Sequence, residues 1–272
     1  MNQFLKAAIY GLAVADALGV PYEFLTRGSF EAVEMVGYGS HQQPAGTWSD
    51  DTSLVLATCD SIREKGKIDL TDMQQRFKHW LFEGVYTPDG LTFDVGNATR
   101  EALTRGHGLS DEYSNGNGSL MRILPLAFTE ASPSDIEAVS SITHAHATSV
   151  EACLLYVDIA RRLLKGQQLP EILLGLETST TYARLQTLAD LTEDDIRSTG
   201  YVVDTLEATL WCLLTSTSYP ETVLKAVNLG DDTDTVAAVA GGLAGIIYGL
   251  EEIPDNWLAQ LRNKELLESC LF

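Results

Sequence analysis

Positive charge is scarce in this sequence. Lysine and arginine number 18 against 38 aspartates and glutamates, a formal net charge of −20. Binding a phosphate backbone or an anionic membrane surface needs clustered Lys and Arg, so the charge disfavours nucleic acid and membrane as main partners. Histidine is sparse, at five residues, and the four cysteines (Cys59, Cys153, Cys212, Cys270) are widely spaced with no C-x-x-C pair. That argues against a zinc site and against a disulfide framework, and reads as small buried hydrophobes in a reducing cytoplasm. The longest uncharged, mostly apolar run, Val236 to Leu250, has 15 residues and is rich in Gly and Ala, too short to span a bilayer. The N-terminal residues put no basic stretch ahead of an apolar core, so no signal peptide is expected. Alternation of period two is nearly missing; Glu31 to Tyr38 is the one strand candidate. No Ser/Gly/Pro linker and no internal repeat divides the chain.

Helical periodicity is what the sequence has in quantity. Phe4, Leu5, Ala8, Ile9, Leu12, Ala13 and Ala17 recur at spacings of three and four, and Gly19 and Pro21 stop the pattern. Leu54 to Ile62, Val150 to Lys165, Val202 to Leu214, Thr233 to Leu250 and Trp257 to Leu271 read as further helices, and another apolar helix is expected from Leu120. With 45% apolar and 21% charged residues, the expectation is one all-α domain over residues 1–272, monomeric, with function on the loops between helices. Phe4, Phe24, Trp211 and Trp257 read as core; Trp48 and Tyr201 are aromatic candidates for a cleft wall or for stacking on a base.

The loops carry two acidic clusters far apart in the chain: Ser49-Asp50-Asp51-Thr52 and Asp231-Asp232-Thr233-Asp234-Thr235. Ser, Thr and Asp cap helices, and acids suit the first helical turn, so capping accounts for one or two of these residues per helix. Adjacent carboxylates repel unless something positive lies between them, and neither stretch contains Lys or Arg. A hard divalent cation held by carboxylate and hydroxyl oxygens, Mg²⁺ or Mn²⁺, is the alternative to a pair of unrelated caps. His144 and His146, two residues apart, do not share a helix face and read as loop or helix-entry residues rather than a zinc pair. Asn115-Gly116-Asn117-Gly118-Ser119 is a loop whose glycines permit close approach of an anion to backbone N–H groups.

GLAVADALGVPYEF (Gly11–Phe24), GTWSDDTSL (Gly46–Leu54), GNGSLMRILPL (Gly116–Leu126), THAHAT (Thr143–Thr148), GYVVDTLEATLW (Gly200–Trp211) and NLGDDTDTVAAVAGGLAGIIYG (Asn228–Gly249) together resemble the ADP-ribosylglycohydrolase family, in order and over nearly the whole chain. The resemblance implies an all-α fold with a two-metal cleft and hydrolysis of the glycosidic bond between ADP-ribose and an acceptor, a modified protein or a small molecule. It implies metal ligation by Ser49, Asp50, Asp51, Asp232, Asp234 and Thr235, and catalytic roles for Glu23, Asp50 and Asp94. Asp94 matches an acid that approaches the scissile bond in arginine-specific members, which points to an ADP-ribosyl-arginine or related guanidine linkage. Gly116, Asn117, Gly118 and Ser119 match the diphosphate loop, Gly200 and Tyr201 the adenosine side, and His144 a wall of the site. The sequence departs from the family with Ser49 where threonine is common and Ala15 where glycine is common. An O-linked, serine-type substrate and a silent ADP-ribose binder are the alternatives; a di-metal phosphohydrolase fits the motif order less well.

Overall fold

A computed structural model describes residues 2–272. Among the described residues twelve α-helices form one domain: α1 (Gln3–Gly19), α2 (Asp50–Lys65), α3 (Leu70–Glu83), α4 (Asn97–Arg105), α5 (Pro133–Ser140), α6 (Ala147–Leu164), α7 (Leu169–Leu174), α8 (Val202–Leu214), α9 (Tyr219–Asn228), α10 (Thr233–Tyr248), α11 (Asp255–Gln260) and α12 (Lys264–Cys270). Short 3₁₀ turns join several of them, and no β-strand occurs among the described residues.

The centre of the domain is a pair of helices apolar on every side. All residues of α1 from Ala7 to Gly19 are buried, as are those of α10 from Thr233 to Ile246. Such helices belong in a core rather than on a surface. The stretch Gln3–Tyr22 is long and apolar enough to cross a membrane, but 89% of its most apolar window is covered by the rest of the fold. Small residues let the pair run antiparallel with backbones almost touching. A Cβ built on Gly241 would lie 2.4 Å from Gly11 O and 2.5 Å from the Ala15 Cβ. Ala15 therefore fits because Gly241 faces it, and the departure from the family's glycine is absorbed across the helix pair.

The antiparallel run brings the C-terminal end of α1 against the N-terminal end of α10. The start of α2 joins them through Asp16, whose carboxylate accepts from the backbone N–H groups of Ser49 (2.9 Å) and Thr52 (3.0 Å) and from the Thr52 hydroxyl (2.6 Å). Asp16 thus caps α2 from a different helix, satisfying amide groups that the first turn leaves open. Burial raises its pKa to about 6, against the lowering effect of these bonds.

Four expectations need correction. The segment Glu31–Tyr38 is not a strand: Ala32 spends its N–H and C=O on the Asn228 side chain of α9, at 2.8 and 2.9 Å. No α-helix starts at Leu120. Pro125 has no N–H to donate to the fourth residue before it, so the chain turns and a short 3₁₀ segment, Leu124–Phe128, follows. The segment Trp257–Leu271 is two helices, because Asn263 adopts a left-handed φ of 41° and Arg262 N bonds to Gly46 O (3.1 Å) instead. Finally, Phe4 and Phe24 are exposed, at 52% and 70%, whereas Trp48, Trp211 and Trp257 are buried. The four cysteines are free and buried, and burial raises their thiol pKa values.

Candidate metal centre and cleft

Both acidic clusters open helices. Ser49 caps α2, accepting from Asp51 N at 3.3 Å, and Asp50 and Asp51 fill its first turn. Asp232 precedes α10, with Asp234 and Thr235 in its first turn. The two helix starts meet: Thr235 Oγ1 donates to Asp51 Oδ2 at 3.3 Å, and Ser49 Oγ donates to the same oxygen at 3.1 Å. Capping and metal binding are therefore not exclusive here; the caps aim the carboxylates at one point.

Glu23 reaches that point from the turn after α1. The turn is zipped to the second cluster by Phe24 N to Asp231 O (2.7 Å) and Asp231 N to Leu25 O (2.9 Å). Arg27 fastens it further, donating to the carbonyls of Leu229, Glu193 and Ile196 at 2.7–2.8 Å. Phe24, Asp94 and Asp231 all adopt positive φ (66°, 51° and 58°). Non-glycine residues held there cluster at functional sites.

Three acid groups have ligand atoms within 4.8 Å of one another: Asp16/Asp51/Asp234, Glu23/Asp232/Asp234 and Glu23/His41/Asp94. Asp16 is already occupied by its hydrogen bonds to α2. Asp51 Oδ1, Asp232 Oδ1 and Asp234 Oδ2 are buried without any partner. Among the described residues no Lys or Arg pairs with any of these acids; His41, hydrogen-bonded to Glu23, is the only basic partner. Unpaired buried carboxylates are costly, and they neutralise by taking up protons or a cation. The pKa directions agree. Burial first, then neighbouring acids, push Asp50, Asp51 and Asp234 well above the carboxylate range. Burial raises Asp232 despite the Asn117 hydrogen bond, and raises Glu23 to about 7 despite His41. Orphaned oxygens from both clusters, converging without a counter-charge, are the donor set a hard divalent cation takes.

Of these acids Glu23, Asp50 and Asp232 line a cleft of about 350 Å³ that also takes in Asp94, Asn97, Thr99, Gly116–Gly118, His144 and Gly200. Asn117 links its two halves, donating to Asp232 Oδ2 (2.7 Å) and Thr205 Oγ1 (3.0 Å), while its N–H donates to Gly200 O (3.1 Å). The side chain of Asn117 thus holds the acidic cluster in place, and any anion meets the loop's backbone. The N–H groups of Gly116, Gly118 and Ser119 have no intramolecular acceptor among the described residues. With no α-helix behind the loop, these amides act without a helix dipole. Ser119 does not face the cleft: its hydroxyl is fully buried and accepts from Ser140 Oγ at 2.9 Å. Tyr201 stands at the rim, 43% exposed, where the chain bridges to Gly116.

Sequence reasoning missed two participants. Asp16 was hidden inside an apolar helical pattern, and a lone polar residue among thirteen buried neighbours is the signal that marks it. His41 gave no local signal; it comes from the loop before α2, with its ring 5.8 Å from Phe24 and 5.2 Å from Phe93.

Residues 3–271 match the family model described as ADP-ribosylglycohydrolase. The chain is 37% identical over 272 residues to the ADP-ribosylarginine hydrolase Tri1 of Pseudomonas putida, covering 94% of this chain and 73% of that protein. It is 32% identical over 277 residues to the ADP-ribosyl-[dinitrogen reductase] glycohydrolase of Rhodospirillum rubrum, covering 94% and 90%. A solved structure titled ADP-ribosylglycohydrolase-related protein complex superposes with a TM-score of 0.84 at 33% identity, covering 98% and 95%.

Proposed function

The chain belongs to the ADP-ribosylglycohydrolase family, and from that premise we propose that it hydrolyses the N-glycosidic bond between ADP-ribose and an arginine guanidinium. The observation that carries the acceptor is the grouping of Glu23, Asp94 and His41, with the Phe24 and Phe93 rings beside His41. A planar guanidinium pairs with carboxylates and stacks on aromatic faces, and a serine hydroxyl needs neither. The named relatives support the same linkage.

The residues divide the work. Asp50, Asp51, Asp232 and Asp234, with Ser49 and Thr235, would hold divalent cations. The Glu23/Asp232/Asp234 group, with the unpartnered Asp51 Oδ1 on the other side of Asp234, supports a pair of them, and oxygen donors suit Mg²⁺ or Mn²⁺. When bound, such cations supply fixed positive charge that orients a ribose diol and favours ionisation of water. Glu23, lining the cleft beside Asp94, would take a proton from a water attacking the anomeric carbon. Once cations hold it ionised, Asp50 would join Asp94 in facing the oxocarbenium-like sugar with negative charge, and Asp94 holds the departing guanidinium. Gly116, Gly118 and His144 hold the diphosphate and Tyr201 the adenosine. Ser119 supports the loop from behind. Four unpaired buried cysteines support a reducing, cytoplasmic setting, and a monomer is proposed.

Hydrolysis of ADP-ribosyl-arginine beside an ADP-ribosyl-serine peptide, each with Mg²⁺, Mn²⁺ or EDTA, tests this. Metal-dependent release of ADP-ribose from the arginine adduct alone is expected. Release from the serine peptide alone would overturn the acceptor.

A further inference from the structure

A buried cation lies behind the glycine loop. Arg122 is fully buried, with its guanidinium carbon 4.5 Å from the centre of the Phe77 ring. Its hydrogen bonds go only to neutral oxygens: Nη2 donates to Val139 O at 3.2 Å and to Thr143 Oγ1 at 2.8 Å. Nε and Nη1 have no partner. Burial lowers its pKa to about 10, which still leaves it charged at neutral pH. In a chain of net charge −20, a buried guanidinium with no carboxylate bonded to it is an expensive feature.

Thr143 Oγ1 connects this cation to the cleft. It accepts from Arg122, and it lies 2.9 Å from His144 Nδ1. A hydroxyl has one proton and two lone pairs. If Nδ1 carried the imidazole proton, two donors, one of them ionised, would converge on the same oxygen. With Nδ1 as acceptor, the hydroxyl proton points away from the guanidinium and every dipole along the chain is aligned with its field. The imidazole proton then sits on Nε2. That edge of the ring faces the cleft: a Cβ on Gly116 would lie 3.6 Å from Nε2, and one on Gly118 would lie 2.8 Å from Cε1. Burial, then the Arg122 charge, lowers His144 to about 3, so the ring is neutral and has only one proton to place.

We propose that Arg122 and Thr143 are positioning residues: the buried guanidinium, acting through the Thr143 hydroxyl, sets His144 as its Nε2–H tautomer and aims that donor at the anionic diphosphate beside the Gly116–Gly118 loop. The ligand named here rests on the ADP-ribose reading above; the tautomer does not. The arrangement resembles the way an oxygen behind a metal-bound histidine fixes which imidazole nitrogen serves the ion.

The test uses protein labelled with ¹⁵N-histidine at pH 7, with the His144 signals identified by their loss in His144→Gln. The wild-type protein should show His144 protonated on Nε2 alone. Thr143→Val, which keeps the shape and removes the hydroxyl, should shift the ring toward Nδ1–H and weaken ADP-ribose binding about tenfold, the scale of one hydrogen bond to a charged group. Thr143→Ser should restore both the tautomer and the affinity, which a packing role would not. A wild-type His144 protonated on Nδ1 overturns the proposal, as does a folded Thr143→Val protein that binds ADP-ribose like the wild type. If the wild-type protein binds no ADP-ribose, the functional reading fails, and the tautomer spectrum still decides the relay.

Discussion

Gly19→Ala should disable the candidate metal centre without replacing a ligand. A Cβ at Gly19 would lie 2.4 Å from Asp234 Cα and 2.6 Å from both Asp234 N and Thr233 O. These are backbone atoms, so no side chain can swing aside. Carbon–carbon contacts settle near 3.5 Å or beyond, so α1 and α10 must part by about 1 Å at this end. Overpacking of this kind costs roughly 1–3 kcal/mol, and at about 2–4 °C per kcal/mol for a chain of this size the melting temperature should fall by about 2–12 °C. The larger effect is local. Asp234 belongs to two of the acid groups, one of them with Glu23 from the turn after α1. Displacing a catalytic constellation by about 1 Å costs on the order of a hundredfold. The assay is kcat/KM on ADP-ribosyl-arginine with Mg²⁺ titrated calorimetrically, alongside Gly175→Ala, where a methyl meets its nearest atom at 3.5 Å. If Gly19→Ala keeps wild-type Mg²⁺ affinity and turnover, the close helix contact does not set the spacing of the acids, and the reasoning fails.

The remaining expectations concern charge, the cleft rim and the Glu23 turn. Asp50, Asp51 and Asp234 have pKa values raised by burial, so the folded protein without cations holds protons that the unfolded chain releases. Their contribution to stability is full below the unfolded carboxylate pKa and is lost as pH rises through the raised folded values. The melting-temperature difference between Mg²⁺ and EDTA should therefore widen from pH 5 to pH 8, and a difference independent of pH would remove these acids as the ligands. Tyr201→Ala should weaken ADP-ribose binding about tenfold, the low end of what base stacking supplies, with Tyr201→Phe near wild type; equal affinity for all three would take adenine off this ring. Arg27→Ala frees three carbonyls from the turn that carries Glu23, and should lower stability by about 1–3 kcal/mol with a larger fractional loss in kcat than in Mg²⁺ affinity. Denaturant unfolding and steady-state kinetics would show it; an unchanged kcat would mean the zipper to Asp231 suffices.

The main helices, the acidic caps and the glycine loop were legible in the chain because they are local. Periodicity marks α1 and α10, and the run of acids at a helix start needs no knowledge of distant residues. The same local reading failed where one residue or one distant partner outweighed the pattern. Pro125 removed the helix expected at Leu120, Asn263 split the last one, and the Asn228 side chain took the backbone bonds that would have made a strand near Ala32.

What the sequence determined by itself was the inventory: an acidic, all-helical chain with two carboxylate clusters, a Gly-Asn-Gly-Ser loop and the ordered motifs of its family. Only the tertiary structure decided how these meet. The backbone contact of α1 with α10 sets the second cluster beside the end of α1, and Asp16 pins the first cluster to the same helix. It also turned Ser119 into the core, brought His41 to Glu23 and placed Arg122 behind His144 through Thr143. The physical reason is one of range. Periodicity and capping act over a few residues of chain, whereas a carboxylate's neighbours and protons depend on segments as far as 184 residues away in sequence that packing alone brings within hydrogen-bond reach.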